Sequence, residues 1–210
     1  MSLSVYSQES SAFSTTTCKS RKKRKKRNLY TSKHDSRIPH RRSIDHRPKE
    51  VALRQTIGHW EADTIISRQS KSCLFVLVER KTRLTLIAKM SSKSSEQMRK
   101  HLTKRLSRFP SSIRKTITFD NGTENTKHID IDKELGTTSY FCHPYHSGEK
   151  GSVENANGLI RQYIPKKTDI RKISNDTIIN IEYALNNRPR KCLGYLTPYE
   201  AFKKSVALQV

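Results

Sequence analysis

Three carboxylates stand where packing alone gives a charge no easy place. Asp63 lies in GHWEADTI, flanked by Trp60, Ile65 and Ile66. Asp120 ends the apolar run ITFD and is followed by Asn-Gly. Glu154 stands in KGSVENANGLIRQY, near the start of a helical pattern. A carboxylate inside or at the end of an apolar segment costs free energy unless it is exposed or partnered. Taken singly, each has a plain structural reading: a solvated strand residue, a turn residue before Asn-Gly, a favourable charge in a first helical turn. Taken together they offer oxygen ligands to hard divalent cations. Two Mg²⁺ ions about 4 Å apart clamp the attacking and leaving oxygens of an in-line phosphoryl displacement. The expected roles of Asp63, Asp120 and Glu154 are therefore metal-binding and catalytic, with Mn²⁺ able to replace Mg²⁺.

The elements that must position these acids are legible from periodicity. Residues 59–67, 72–82 and 82–90 read as three strands rich in β-branched and aliphatic residues, joined as an antiparallel meander. A helix is expected over 94–110, with Met98, Leu102 and Leu106 on one face, Ser94 or Ser95 as cap and Pro110 as stop. A short strand follows at 115–120, a weak helix at 123–136 and a fifth strand at 137–142. Helices are then expected from about Ser152 to Tyr163, from about Asn175 to Asn187, and over TPYEAFKK with Thr197 as cap and Pro198 in its first turn. This order implies a mixed α/β sheet flanked by helices, in which the first and fourth strands tend to be neighbours. Alternation puts Asp63 on the same face as Glu61 and opposite Trp60, Ala62 and Thr64. On the Glu154 helix, Asn157, Gly158 and Arg161 share the face of the acid.

Charge points to the partner. The chain has 210 residues, 42 Lys+Arg against 19 Asp+Glu, and a net charge of +23. Such a balance favours a polyanion, and nucleic acid ranks above a membrane surface because the basic residues run along the whole chain. Residues 1–18 are Ser/Thr-rich and nearly uncharged. Residues 19–49 are densely basic, with Arg24, Lys25, Lys26 and Arg27 in their most charged run. Residues 1–49 are expected to form a disordered arm that meets phosphate, and residues 50–210 the folded core. The four cysteines stand far apart, so neither a zinc site nor a disulfide framework is expected. His143 and His146 read as polar turn residues around Pro144. No apolar run approaches a membrane span and no secretory signal is evident, which predicts a cytoplasmic protein with no membrane partner.

GHWEADTI, TFDNGTEN, CHPYHSGEKGSVENANGLIRQYIPKKTDI and LNNRPRKCLGYLTPYEAF, in this order, closely resemble the transposases of the insertion-sequence-thirty family of bacterial mobile elements. The resemblance covers roughly residues 37 to 204 and includes the spacing of 33 residues between Asp120 and Glu154. It implies a ribonuclease-H-like, integrase-type core in which Asp63, Asp120 and Glu154 form the metal-binding catalytic triad. It implies metal-dependent DNA cleavage and strand transfer, with DNA as partner, a homo-oligomer assembled on it and a place at the bacterial nucleoid. Lys150, Asn157 and Arg161 are expected to place DNA or orient the Glu154 helix, and Arg188 and Arg190 to contact DNA. Asn121 and Gly122 are expected to shape the loop beside Asp120, with Glu61 and Glu124 structural. Gly148 stands where many members carry an aromatic residue, and residues 1–36 show no helix-turn-helix pattern, so a catalytic half alone is expected. A silent DNA-binding remnant and a ribonuclease-H-like nuclease are the alternatives.

Overall fold

A computed structural model describes residues 38–144 and 146–208, all within the unit Asp35–Val210. The expected phosphate contacts Arg24, Lys25, Lys26 and Arg27, and the arm through residue 37, lie outside the described residues. The strands are β1 (His59–Ile66), β2 (Cys73–Glu79), β3 (Thr85–Met90), β4 (Thr116–Phe119) and β5 (Thr138–Phe141). The helices are α1 (Glu50–Leu53), α2 (Ser95–Leu106), α3 (His128–Leu135), α4 (Gly151–Tyr163), α5 (Asn175–Asn186) and α6 (Pro198–Ala207).

The sheet runs β3-β2-β1-β4-β5. The β1–β2 and β2–β3 pairs are antiparallel, and the β1–β4 and β4–β5 pairs parallel. Every residue of β2 is buried, as a strand covered on both faces requires. Trp60, Ala62, Phe75 and Leu77 meet Met98, Leu102 and Leu106 of α2 and Ile131 and Leu135 of α3 on one face. Ile65, Leu74, Val76 and Val78 meet Val153, Ala156 and Ile160 of α4 and Ile178, Ile181 and Leu185 of α5 on the other. At about 25 cal/mol per Å² of apolar surface, these two layers supply most of the force that closes the fold.

The helix ends follow local chemistry. Ser94 accepts from the Gln97 amide to cap α2, and Thr197 and Glu200 form a capping box with Pro198 in the first turn of α6. The expected helix over 123–136 is divided. A 3-10 turn at Thr123–Asn125 precedes α3, because Glu124 and Asn125 are buried against the loop that follows β4. Gly136, at φ +67°, ends α3 in the left-handed region that glycine favours.

The boundary of the arm is corrected. Residues 38–49, expected to be disordered, pack on the domain. Ile38 is 3% exposed within the core. Ser43 bridges Phe141, the Phe141 amide donates to the Arg42 carbonyl at 2.9 Å, and Arg47 donates to Thr118 Oγ1 at 3.0 Å. The outer edge of β5 offers unpaired backbone groups, and a short segment satisfies them despite its charge.

Candidate active site

β1 and β4 lie side by side in parallel, with Glu61 level with Thr118. Continued by two residues, that register brings Asp63 level with Asp120, one residue beyond the end of β4. In α/β sheets, ligands gather at such carboxyl ends. Asp63, Asp120 and Glu154 line one cleft of about 460 Å³, together with Asn121, Gly122, His143 and Lys150.

Each acid is held differently. Asp63 Oδ2 accepts from Asn157 Nδ2 at 2.6 Å, and its Oδ1 lies 3.2 Å from Lys150 Nζ. Asp120 Oδ1 accepts from the Gly122 amide at 3.2 Å and from Asn125 Nδ2 at 2.8 Å, while its Oδ2 lies 3.8 Å from Lys150 Nζ. The Lys150 ammonium is therefore a counter-charge to both aspartates, and it also donates to the Ala62 carbonyl at 3.1 Å. Glu154 is exposed in the first turn of α4 and faces the same cleft. The structure thus brings Asp63 and Asp120 together through one cation and sets Glu154 across from them.

α4 is tied to β1 along its length. Glu61 is fully buried, pairs with Arg80, and accepts the Val153 amide at 2.9 Å. No side chain of the preceding residue caps α4, so the Glu61 carboxylate supplies the negative charge that a helix N-terminus favours. Farther along, Asn157 reaches Asp63 and Arg161 donates to the Ile66 carbonyl at 3.1 Å. Three expected DNA contacts consequently have protein partners. Lys150 is buried, Asn157 orients Asp63, and Arg161 holds the strand. Arg190 is half-buried and donates to the Leu185 carbonyl at 3.1 Å, whereas Arg188 is exposed. Gly158 opens onto free space, with nothing within 4 Å of a Cβ built there.

The loop after β4 rests on a second acid. Glu124 is 3% exposed, accepts from Thr64 Oγ1 at 3.3 Å and pairs with Lys93 at 3.0 Å. Burial opposes the Lys93 charge, but Glu124, Asp120 and Asp63 outweigh it and raise its pKa. A Cβ on Gly122 would run into the Glu124 carboxylate. Gly122 has φ −70°, so it is required for space and not for its dihedral freedom. Sequence reasoning missed Lys93 and Asn125. Asn125 had a usable signal in its short spacing from Asp120, whereas Lys93 had none.

His143 donates its backbone N–H to Glu149 Oε2 at 2.9 Å, and its ring bonds Glu149 Oε1 at 2.8 Å and Asp45 Oδ2 at 2.9 Å. The hydrogen bonds to Glu149 and Asp45 raise the imidazole pKa. His143, His146 and Glu149 offer atoms within 4.8 Å of one another, and the ring nitrogens of His143 bond the carboxylates of Glu149 and Asp45. Burial pushes the Cys142 thiol up to about 12, which removes it as a nucleophile.

Residues 54–147 match the family described as Integrase core domain. The chain is 46% identical over 169 residues to the transposase for insertion sequence element IS4351 of Bacteroides fragilis, an alignment spanning 80% of this chain and 52% of that protein. It is 38% identical over 165 residues to transposase InsI for insertion sequence element IS30A of Escherichia coli (strain K12), spanning 79% and 43%. The chain thus spans about half the length of the curated relatives it matches. Its fold is similar to the catalytic core domain of BIV integrase, with a TM-score of 0.56 at 22% identity over 72% of this chain and 97% of that one. It is also similar to a chain of the simian T-cell lymphotropic virus intasome in complex with PP2A regulatory subunit B56 gamma, with a TM-score of 0.57 at 16% identity over 70% and 54%. The expected integrase-type architecture, a mixed five-stranded sheet flanked by helices, is the one observed.

Proposed function

With an integrase core domain and insertion-sequence transposases as its relatives, we propose that this chain is the catalytic core of a DNA transposase. It cuts DNA strands at the ends of a mobile element and joins the freed 3′-hydroxyl to target DNA. The observation that carries this reading is the single cleft lined by Asp63, Asp120 and Glu154.

The residues fit hard divalent cations. All three acids offer oxygen, Lys150 marks where Asp63 and Asp120 need positive charge, and Glu154 is exposed to take part. Asp63, Asp120 and Glu154 would hold two Mg²⁺ ions, or Mn²⁺ in their place. When bound, such ions supply charge stabilisation at the scissile phosphate and activate the attacking oxygen. The chain's own groups do the rest. Asn157 fixes the rotamer of Asp63, Asn125 and the Gly122 amide fix that of Asp120, and Glu61 sets the position of the helix that carries Glu154. Preorganised ligands need no rearrangement when the reaction begins. Cleavage by water and joining by the 3′-hydroxyl are both in-line phosphoryl transfers, so one site serves both.

DNA is the partner, bound by a homo-oligomer at the bacterial nucleoid. Among the described residues no helix is long and apolar enough to cross a membrane. The test is a cleavage and strand-transfer assay with Mg²⁺ or Mn²⁺ on DNA bearing the element's own ends. Joined product from the wild type and none from Asp120→Asn is the expected result. DNA binding without turnover under either metal would leave a silent remnant. Preferential cleavage of RNA–DNA hybrids would make the protein a nuclease.

A further inference from the structure

On the flank of α4 away from Glu154, a second cavity of about 270 Å³ is lined by Arg54, Arg83 and Arg190 together with Gly151, Ser152 and Asn155. No Asp or Glu lines it. Arg54 has no hydrogen bond or ion pair among the described residues. Among the described residues the Arg83 side chain donates only to Ser152 Oγ, and the Arg190 side chain only to the Leu185 carbonyl. Arg190 Nε is buried with no partner.

Three guanidinium groups around one cavity repel one another. Burial and the neighbouring Arg83 lower the pKa of Arg54, and burial, Arg188 and Arg83 lower that of Arg190. Arg54 and Arg83 also hold left-handed backbone, at φ +56° and +63°, a region that L side chains other than Asn and Asp seldom adopt. Like charge, an unpaired buried donor and strained backbone are each unfavourable, and all three converge on one cavity. Arginine forks match the oxygen geometry of phosphate.

We infer that Arg54, Arg83 and Arg190 form a phosphate subsite for the DNA backbone, separate from the catalytic cleft and on the other side of α4. A strand held there crosses the helix that carries Glu154, so the subsite fixes where DNA lies relative to the three acids. This rests on the reading above that DNA is the substrate. The subsite is filled by one phosphodiester and carries no base specificity.

The test uses equilibrium binding of a labelled random-sequence duplex to the full chain in EDTA, so turnover plays no part. Arg54→Gly/Arg83→Gly removes two charges and relieves both left-handed positions, which protects the fold. A control, Lys104→Ala/Lys133→Ala, removes two exposed charges on the opposite face of the sheet. The arginine pair is expected to weaken binding about tenfold or more and to reduce the slope of log affinity against log salt by about one, as the loss of one phosphate contact requires, with a much smaller change in the control. Equal losses in both variants would overturn the subsite and leave only net charge. So would a different pattern: 10 mM inorganic phosphate raising the melting temperature of the wild type but not of the arginine variant, with the salt slope unchanged. That result would make the cavity a free-anion site. If binding behaves as expected but the wild type never joins strands, the subsite stands and the transposase reading falls.

Discussion

Glu61 and Asp63 stand two residues apart on the same face of β1, and both are touched by α4. Their surroundings differ completely. Glu61 is fully buried, neutralised by Arg80 and bonded to the Val153 amide. Asp63 keeps 22% of its side chain exposed, faces Lys150, and lines the cleft. Glu61 is still flanked by Thr118 of β4, whereas Asp63 stands level with Asp120, where β4 has ended. The end of one short strand separates a buried, paired carboxylate from one that opens onto the cleft. A buried pair holds the frame, and an open pair beside it lines the cleft.

The comparison is broken most directly by exchanging the charges. Glu61→Gln leaves Arg80 buried without its partner, and an unpaired buried ion of this kind costs about 3–5 kcal/mol. A urea unfolding midpoint should fall accordingly. Asp63→Asn should lower strand transfer by about 10³-fold while moving the unfolding free energy by no more than about 1 kcal/mol. Equal effects of the two variants on stability would dissolve the distinction between frame and ligand.

A lower step concerns the foot of the same strand pair. His59 joins β1 to β4 through Thr116 Oγ1 at 2.8 Å, and burial, with Lys115 and Arg80 nearby, holds its pKa down to about 4. Its folded pKa lies below the ordinary 6.5, so the folded state refuses a proton that the unfolded chain accepts. This contribution is intact above pH 6.5, declines as pH falls, and is exhausted near pH 4. Between those limits the wild type should lose about 2–3 kcal/mol more than His59→Gln in paired urea titrations.

Gly122→Ala tests the roof of the open site. The added methyl displaces Glu124, and overpacking of this kind costs about 1–3 kcal/mol. Calorimetry should register the loss, and activity should fall further than stability because Asp120 shares the loop. Gly158→Ala has the smallest expected effect. With open space around it, the substitution should stabilise α4 by up to about 1 kcal/mol. Weaker duplex binding by the same variant would mean that DNA passes directly over this turn.

Much of the fold was legible because its signals are local. The all-apolar run of β2, the Met98–Leu102–Leu106 stripe of α2 and the TPYE box of α6 each encode their element within a few residues. The order of elements favoured β1 beside β4, and the parallel pairing that sets Asp63 level with Asp120 came from the structure. The 3-10 turn before α3 was not legible, because the inward roles of Glu124 and Asn125 depend on Lys93 and Asp120. Nor was the packing of residues 38–49, whose charge concealed a segment that pairs with β5.

The sequence by itself determined the three acids, their strands and helix, and the strongly basic character of the chain. Tertiary structure alone decided what the cations do. Lys150 lies 87 residues from Asp63, and Asn157 lies 94, yet both are bound to it. Arg54, Arg83 and Arg190 are far apart in the chain, yet they line one cavity together with residues of α4. Periodicity and capping act over one or two turns of chain, whereas charge neutralisation acts between whichever groups the packed apolar layers bring within a few ångströms.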